Sequence, residues 1–150
     1  PDSSLKTRRL GEIRTVVYAS PDYFARHGRP RHPDDLVRHR CILRSSGEGE
    51  TEAWRFRISG RVRAVRVGGS FSTDNISAAQ AAACQGLGLG YGPCWQIRHH
   101  LDQGALKIVL EDFEAPRMPV HAVFPPSGMP PAKTRLFADL LAQRLKRERL

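Results

Sequence analysis

Apolar and polar positions change period several times along this chain, and each change marks an element. Ile13 to Ala19 is rich in β-branched residues and reads as a strand, closed by Ser20-Pro21. Pro21 suits the first turn of a short helix over Asp22–Arg26, which Gly28 and Pro30 end. A further helical turn starts at Pro33-Asp34-Asp35-Leu36, and Cys41–Leu43 reads as a buried strand. Trp54-Arg-Phe-Arg-Ile58, Ser59-Gly60 and Arg61-Val-Arg-Ala-Val-Arg-Val67 form a period-2 hairpin, with Trp54, Phe56 and Ile58 on one face.

The next run, Phe71 to Pro93, is the most informative. Ser72, Thr73, Asp74 and Asn75 can all cap a helix, and the alanine-rich stretch after them predicts one from Asn75 to Gln85. Gly86 suits the left-handed position that ends it. Leu87, Leu89 and Tyr91 then alternate with Gly88, Gly90 and Gly92, giving a strand with one bulky and one bare face. A bare face lets another backbone or a ligand come close. Beyond it the pattern predicts a helix near Cys94–Leu101, a turn at Asp102-Gln103-Gly104, and strands at Leu106–Leu110 and His121–Phe124. Pro130 and Pro131 open a last helix carrying the stripe Leu136, Phe137, Leu140, Leu141 and Leu145. Strands separated by helices argue for an α/β fold with a mixed sheet.

In order and spacing these pieces resemble the effector-binding domain of LysR-type bacterial transcriptional regulators. The resemblance is carried by DSSLKTRRLG at 2–11, VVYASPDYFARHGRP at 16–30, DLVRHRCIL at 35–43, WRF at 54–56, NISAAQAAACQGLGLGYGP at 75–93, LDQGALKIVL at 101–110, VHAVFPPS at 120–127 and TRLFADLLAQRL at 134–145. It implies a two-lobed α/β domain of the periplasmic-binding-protein (type 2) kind. On that reading residues 20–124 are the second lobe, nearly complete, and residues 1–19 and 125–150 are part of the first. The crossings are expected near Ala19-Ser20 and Phe124-Pro125. The family's N-terminal helix-turn-helix, through which it binds DNA, and the first part of the effector domain are not in these 150 residues. The expectation is therefore a sensor module. A small-molecule effector would bias lobes and subunits between arrangements, in a homo-dimer or tetramer, and DNA would be met only through the absent head. Apolar surface on the last helix and on the Ile13–Ala19 strand is expected to be under-covered, which favours association. A solute-binding protein lobe of the same fold and a basic nucleic-acid-binding domain are the competing readings.

Composition narrows the field further. No apolar run approaches the ~20 residues of a membrane span, and PDSSLKTRRL lacks the apolar core of a signal peptide. Cys41, Cys84 and Cys94 are odd in number and contain no CxxC pair, which suits reduced thiols in a cytoplasmic protein. The net charge of +9 is spread over several elements, and most of it reads as solvated faces, that of Arg55, Arg57, Arg61, Arg63 and Arg66 on the hairpin and that of Lys146, Arg147 and Arg149 at the end of the last helix. GxSxG, HExxH, the phosphate-loop GxxxxGK[ST] and a helix-opening GxGxxG are all missing. No catalytic residue, metal ligand or cofactor is expected. His99 and His100 are adjacent on one helix and point apart, while Trp54 and Trp95 are expected as core anchors.

The ligand site is read at the start of the alanine helix. Thr73, Asp74 and Asn75 offer hydroxyl, amide and backbone N–H groups at a helix N-terminus, which suits an anion. The resemblance adds Arg44, Ser45 and Ser46 after the Cys41–Leu43 strand, and Gly92 and Pro93 at the end of the glycine strand, as walls of one cleft. The same groups can serve only to cap the helix and shape a turn. Asp74 sets a negative charge beside the supposed anion.

Overall fold

The Ile13–Ala19 run does not form one strand. It breaks at Arg14 in the computed structural model, which describes residues 6–44, 51–69, 71–124 and 131–147. Strand β1, Lys6–Ile13, precedes the break and β2, Thr15–Ala19, follows it. The two join different units. Pro1–Arg14 with Arg117–Leu150 form the first unit, and Thr15–Pro116 form the second. The division thus falls at 14/15 and 116/117 rather than at the crossings read from sequence. Pairing explains where it lies: β2 hydrogen-bonds inside the second unit, and the strand after residue 116 pairs with β1.

The second unit runs from β2 into α1, Pro21–His27, whose first turn is capped by Ser20 Oγ accepting from the Tyr23 N–H at 3.2 Å. A 3-10 turn, Pro33–Arg38, leads to β3, Ile42–Leu43. The hairpin is β4, Thr51–Ile58, and β5, Arg61–Gly68. Ser59 and Gly60 both have positive φ (50° and 77°), the condition for the tight turn whose twist matches a hairpin. Then come β6, Phe71–Ser72, α2, Ile76–Cys84, β7, Gly90–Pro93, a 3-10 turn over Cys94–Ile97, α3, Arg98–Asp102, and β8, Lys107–Val109. The expected helix near Cys94–Leu101 is thus a tighter turn followed by a short helix.

β2 lies between β7 and β8, antiparallel to both, and β3 pairs with β6 in parallel. A parallel bridge between Cys41 and Leu89 joins the two ladders, with Ile42 N–H donating to Leu89 O at 2.7 Å and Leu89 N–H to Arg40 O at 2.8 Å. Strand periodicity sorts the core into two layers. Val17 and Ala19 face a cluster with Tyr23, Phe24, Leu36, Trp54, Phe56 and Val67, while Val16 and Tyr18 face Ala79, Ala82 and Ala83 of α2. Trp54 is buried and its ring stacks on Tyr91 with centroids 5.1 Å apart. Trp95, expected as a second anchor, is 45% exposed. The β2 strand is covered as well, since Val16 to Ala19 are all buried.

In the first unit β1 pairs antiparallel with β9, Met118–Phe124, from Lys6↔Phe124 to Ile13↔Met118, with a bulge between Arg9 and Gly11. Sequence pattern missed β1, whose charged KTRR opening does not alternate. α4, Ala132–Arg147, packs on β1 where Gly11 leaves room: a Cβ there would stand 3.5 Å from Leu145 Cβ. Its apolar stripe divides. Ala138 is buried and Leu141 and Leu145 half-buried, whereas Leu136, Phe137 and Leu140 are 62–71% exposed.

Candidate functional site

The parallel relation of β3, β6 and the residues entering β7 sends three carboxyl ends to one edge of the second unit. Arg44 follows β3, Thr73 follows β6, and Gly92-Pro93 close β7. Thr73 is tied to the neighbouring strand by its N–H donating to Leu43 O at 3.0 Å. In open α/β sheets, the carboxyl ends of such strands are where ligands sit.

The α2 start is built as its sequence suggests. Asn75 Oδ1 accepts from Ala78 N–H at 3.0 Å, and Thr73 Oγ1 accepts from Asn75 N–H at 3.1 Å. At the other end Gly86 has φ 72°, and its N–H returns to Ala83 O at 3.0 Å. A cap of this kind uses one of the first-turn donors and leaves others free. The Thr73 and Asn75 side-chain oxygens are therefore engaged in holding the corner. Asp74 is exposed beside them.

Arg44 donates its backbone N–H to a Glu52 carboxylate oxygen at 2.8 Å, which leaves the side chain as the functional part. That guanidinium forms no ion pair among the described residues. Its Nη1 lies 3.9 Å from where a Cβ on Gly92 would stand. So Arg44, Thr73, Asn75, Gly92 and Pro93 share one edge, and Gly92 is buried between its neighbours. Ser45 and Ser46, the remaining predicted wall residues, lie outside the described residues.

Two residues of this edge were not read from sequence. Gln96, on the 3-10 turn after β7, brings its Oε1 to 4.0 Å from the same Gly92 position, and its carbonyl accepts from Gln80 Nε2 at 3.1 Å. Tyr18 of β2 brings its hydroxyl to 4.0 Å from that position too. Burial pushes the Tyr18 phenol up to about 12, with the Arg44 charge pulling the other way, so it stays protonated and able to donate. The signal for Tyr18 was a large residue facing a glycine across the ladder, Tyr18↔Gly90, which needs strand register to see.

Other groups stand apart. Buried Cys41 is pushed up to about 12 by desolvation, with the Glu52 charge adding to it, which makes it an inert thiol. No group of three or more metal-ligating side chains occurs among the described residues. No helix there is long and apolar enough to cross a membrane. A surface hollow of about 640 Å³, lined by Arg29, Pro30, Arg31 and residues 108–112, shares no residue with the β3–β6–β7 edge. On the β4–β5 hairpin, Arg55, Arg57 and Arg66 are exposed as read, and Arg63 pairs with Asp34.

Comparison with known proteins fits this architecture. The family model for the LysR substrate binding domain matches residues 1–146. An uncharacterised HTH-type transcriptional regulator of Escherichia coli K12, YcaN, is 34% identical over 127 residues, covering 85% of this chain and 41% of that protein. The regulatory domain of AphB from Vibrio vulnificus superposes with a TM-score of 0.74 at 27% identity, over 96% of this chain and 71% of that one. Full-length Vibrio cholerae AphB, described as a virulence activator of the LTTR family, gives 0.76 at 26% identity over 96% and 49%. The chain spans less than half the length of the curated relatives it matches. The chain belongs to the LysR substrate-binding-domain family.

Proposed function

Starting from a LysR substrate-binding domain, we propose that residues 15–116 hold the ligand-sensing half of a DNA-binding transcription regulator. The effector is a small molecule received at the edge where β3, β6 and β7 end. The observation that carries this is the convergence there of Arg44, a cation with no ion pair among the described residues, with a capped helix corner at Thr73–Asn75 and the buried bare backbone of Gly92. Chemically the edge can bind and orient. Among the described residues it offers no nucleophile next to a base, and the module is read as a sensor. Asp74 biases it against ligands of high negative charge.

The remaining parts of the reading concern the whole regulator. Its effector domain has a second lobe, here residues 15–116, and a first lobe containing 1–14 and 117–150, with the crossings set by the pairing of β2 and β9 rather than at 19/20 and 124/125. The parent works in the cytoplasm as a homo-dimer or tetramer, an assembly supported by the exposed Leu136, Phe137 and Leu140 of α4. It meets DNA through an N-terminal helix-turn-helix. Effector binding acts by differing in affinity between two arrangements, which is the thermodynamic requirement for any such switch.

A thermal-shift screen of metabolites against the purified chain tests the reading. A compound that stabilises the chain should lose its effect in Thr73→Leu, which fills the corner with an apolar side chain. It should keep its effect in Arg57→Ala on the exposed hairpin. Retention in Thr73→Leu together with loss in Arg57→Ala moves the site to the hairpin and overturns the assignment.

A further inference from the structure

The bare side of the glycine run is used in three different ways. A Cβ on Gly88 would meet the Arg40 carbonyl oxygen at 2.6 Å, so backbone occupies that position. A Cβ on Gly90 would meet the Tyr18 ring at 2.5 Å, so an aromatic ring occupies the second. Gly92 is buried, yet among the described residues a Cβ there would meet nothing nearer than 3.9 Å. The first atoms around it are all polar: Arg44 Nη1, Gln96 Oε1 and the Tyr18 hydroxyl oxygen.

The Tyr18 hydroxyl supplies the second, independent observation. Tyr18 is only 3% exposed, and no described residue hydrogen-bonds its O–H. Its oxygen is not among fully enclosed unpaired atoms, so it retains an opening. Buried polar groups are nearly always partnered, and an O–H with no partner among the described residues, at the rim of a ligand edge, is open to a ligand. Arg44 beside it has a guanidinium without an ion pair among the described residues.

We propose that Tyr18, Arg44 and Gln96 form a recognition subsite over Gly92 that takes the carboxylate of a monoanionic ligand. The inference rests on the sheet-edge reading above and adds the ligand's chemical class. Arg44 supplies one fixed positive charge and planar N–H donors that match a carboxylate. Tyr18 supplies a neutral O–H donor, and the Gln96 amide reads a neighbouring polar group. One cation with two neutral partners matches a single negative charge. The Glu52 carboxylate, which accepts from the Arg44 backbone N–H, disfavours a dianion such as phosphate above its second pKa.

The test is an NMR titration of the ¹⁵N-labelled chain at constant ionic strength with three probes: acetate, acetamide and inorganic phosphate. Acetate should move the Gly92 amide and the Gln96 side-chain amide, and the other two probes should not. Tyr18→Phe removes an oxygen with no internal partner, so the fold should hold while acetate affinity falls about tenfold. Gly92→Ala puts a methyl group among the three polar groups at ordinary contact distance, so it should keep the thermal midpoint and abolish the Gly92-centred response. Equal responses to acetate and phosphate, equal affinity in Tyr18→Phe, or no response at Gly92 overturns the subsite. If metabolite hits perturb Thr73 and Asn75 but bind both variants like wild type, the subsite falls and the sheet-edge reading stands. If hits bind without perturbing that edge, both fall.

Discussion

Replacing Gly90 by alanine should damage the fold far more than the same change two residues on. The new Cβ would stand 2.5 and 2.6 Å from the Tyr18 ring atoms Cε2 and Cζ and 2.9 Å from its hydroxyl oxygen. Carbon contacts are comfortable at about 3.5–4.0 Å, so the deficit is about 1 Å. The ring has nowhere to go: Tyr18 is 3% exposed and packed in the cluster of Ala79, Ala82, Ala83 and Cys94. Overpacking of this sort costs about 1–3 kcal/mol. For a chain of this size each kcal/mol lowers the melting midpoint by about 2–4 °C, so a fall of roughly 2–12 °C is expected. At Gly92 the Cβ finds contacts of 3.9–4.0 Å and an ordinary strand backbone, so alanine should be neutral or stabilising by about 0.4–1 kcal/mol. Buried Trp54 lies in the same unit, and its fluorescence reports the melt. The decisive measurement is a double-mutant cycle. Tyr18→Ala removes the clashing ring, so Tyr18→Ala with Gly90→Ala should cost about 1–3 kcal/mol less than the two single changes added together. A Gly90→Ala protein that melts with wild type, or strictly additive costs, would refute the contact on which this rests.

Three further outcomes follow from single contacts. Asn75→Ala removes the oxygen that accepts from Ala78 N–H and should destabilise by about 1 kcal/mol in chemical denaturation, with Asn75→Asp close to wild type. His39 is held below its ordinary 6.5, chiefly by desolvation, so its neutral form is favoured in the fold. Its contribution is full above pH 6.5 and lost as pH falls through the folded value; denaturation midpoints should drop on acidification, less steeply in His39→Gln. The Tyr23 hydroxyl, 3.0 Å from His39 Nδ1 and accepting from Arg40 N–H at 3.1 Å, loses an acceptor when that nitrogen protonates. Cys41, buried and raised to about 12, should resist iodoacetamide at pH 8 in the native chain and react fully in denaturant; rapid native labelling would contradict its burial.

How much of this architecture could be read from the chain depended on whether the signal was local. The α2 helix was legible because its cap, its small-residue body and Gly86 are contiguous, and the structure sets it at Ile76–Cys84 with Asn75 as cap. The β4–β5 hairpin was legible because Ser59-Gly60 sits between two period-2 runs. β1 was not, since a polar strand is stabilised by its partner, and its partner β9 lies more than a hundred residues away in sequence. The split of Ile13–Ala19 was hidden for the same reason: Ile13 ends one ladder and Thr15 begins another, and nothing in the composition of the run marks that exchange. Trp95 was misread because size alone suggested burial, whereas the tight turn over Cys94–Ile97 puts Cys94 and Ile97 inward and leaves the indole half out.

The candidate site shows the same boundary more sharply. Thr73, Asn75, Gly92 and Pro93 come from one continuous stretch and could be named from it, and Arg44 came through resemblance. Tyr18 could not be named, because inside VVYA it looks like one more apolar strand residue. Its meaning depends on what it faces, and register makes that face Gly90 on one side and Ile108 on the other. A glycine across the ladder lets the ring lie flat over the β7 backbone, and lying flat carries the hydroxyl toward Gly92. The alternation of glycines is therefore a sequence of distinct fits: Gly88 admits a carbonyl, Gly90 admits a ring, and Gly92 is filled by no described residue. Had all three been filled by protein atoms, the run would be explained by packing alone. Because the third is ringed by a guanidinium, an amide and an unpartnered phenol, packing is an insufficient account of it, and recognition of a polar ligand is the reading that uses every group present.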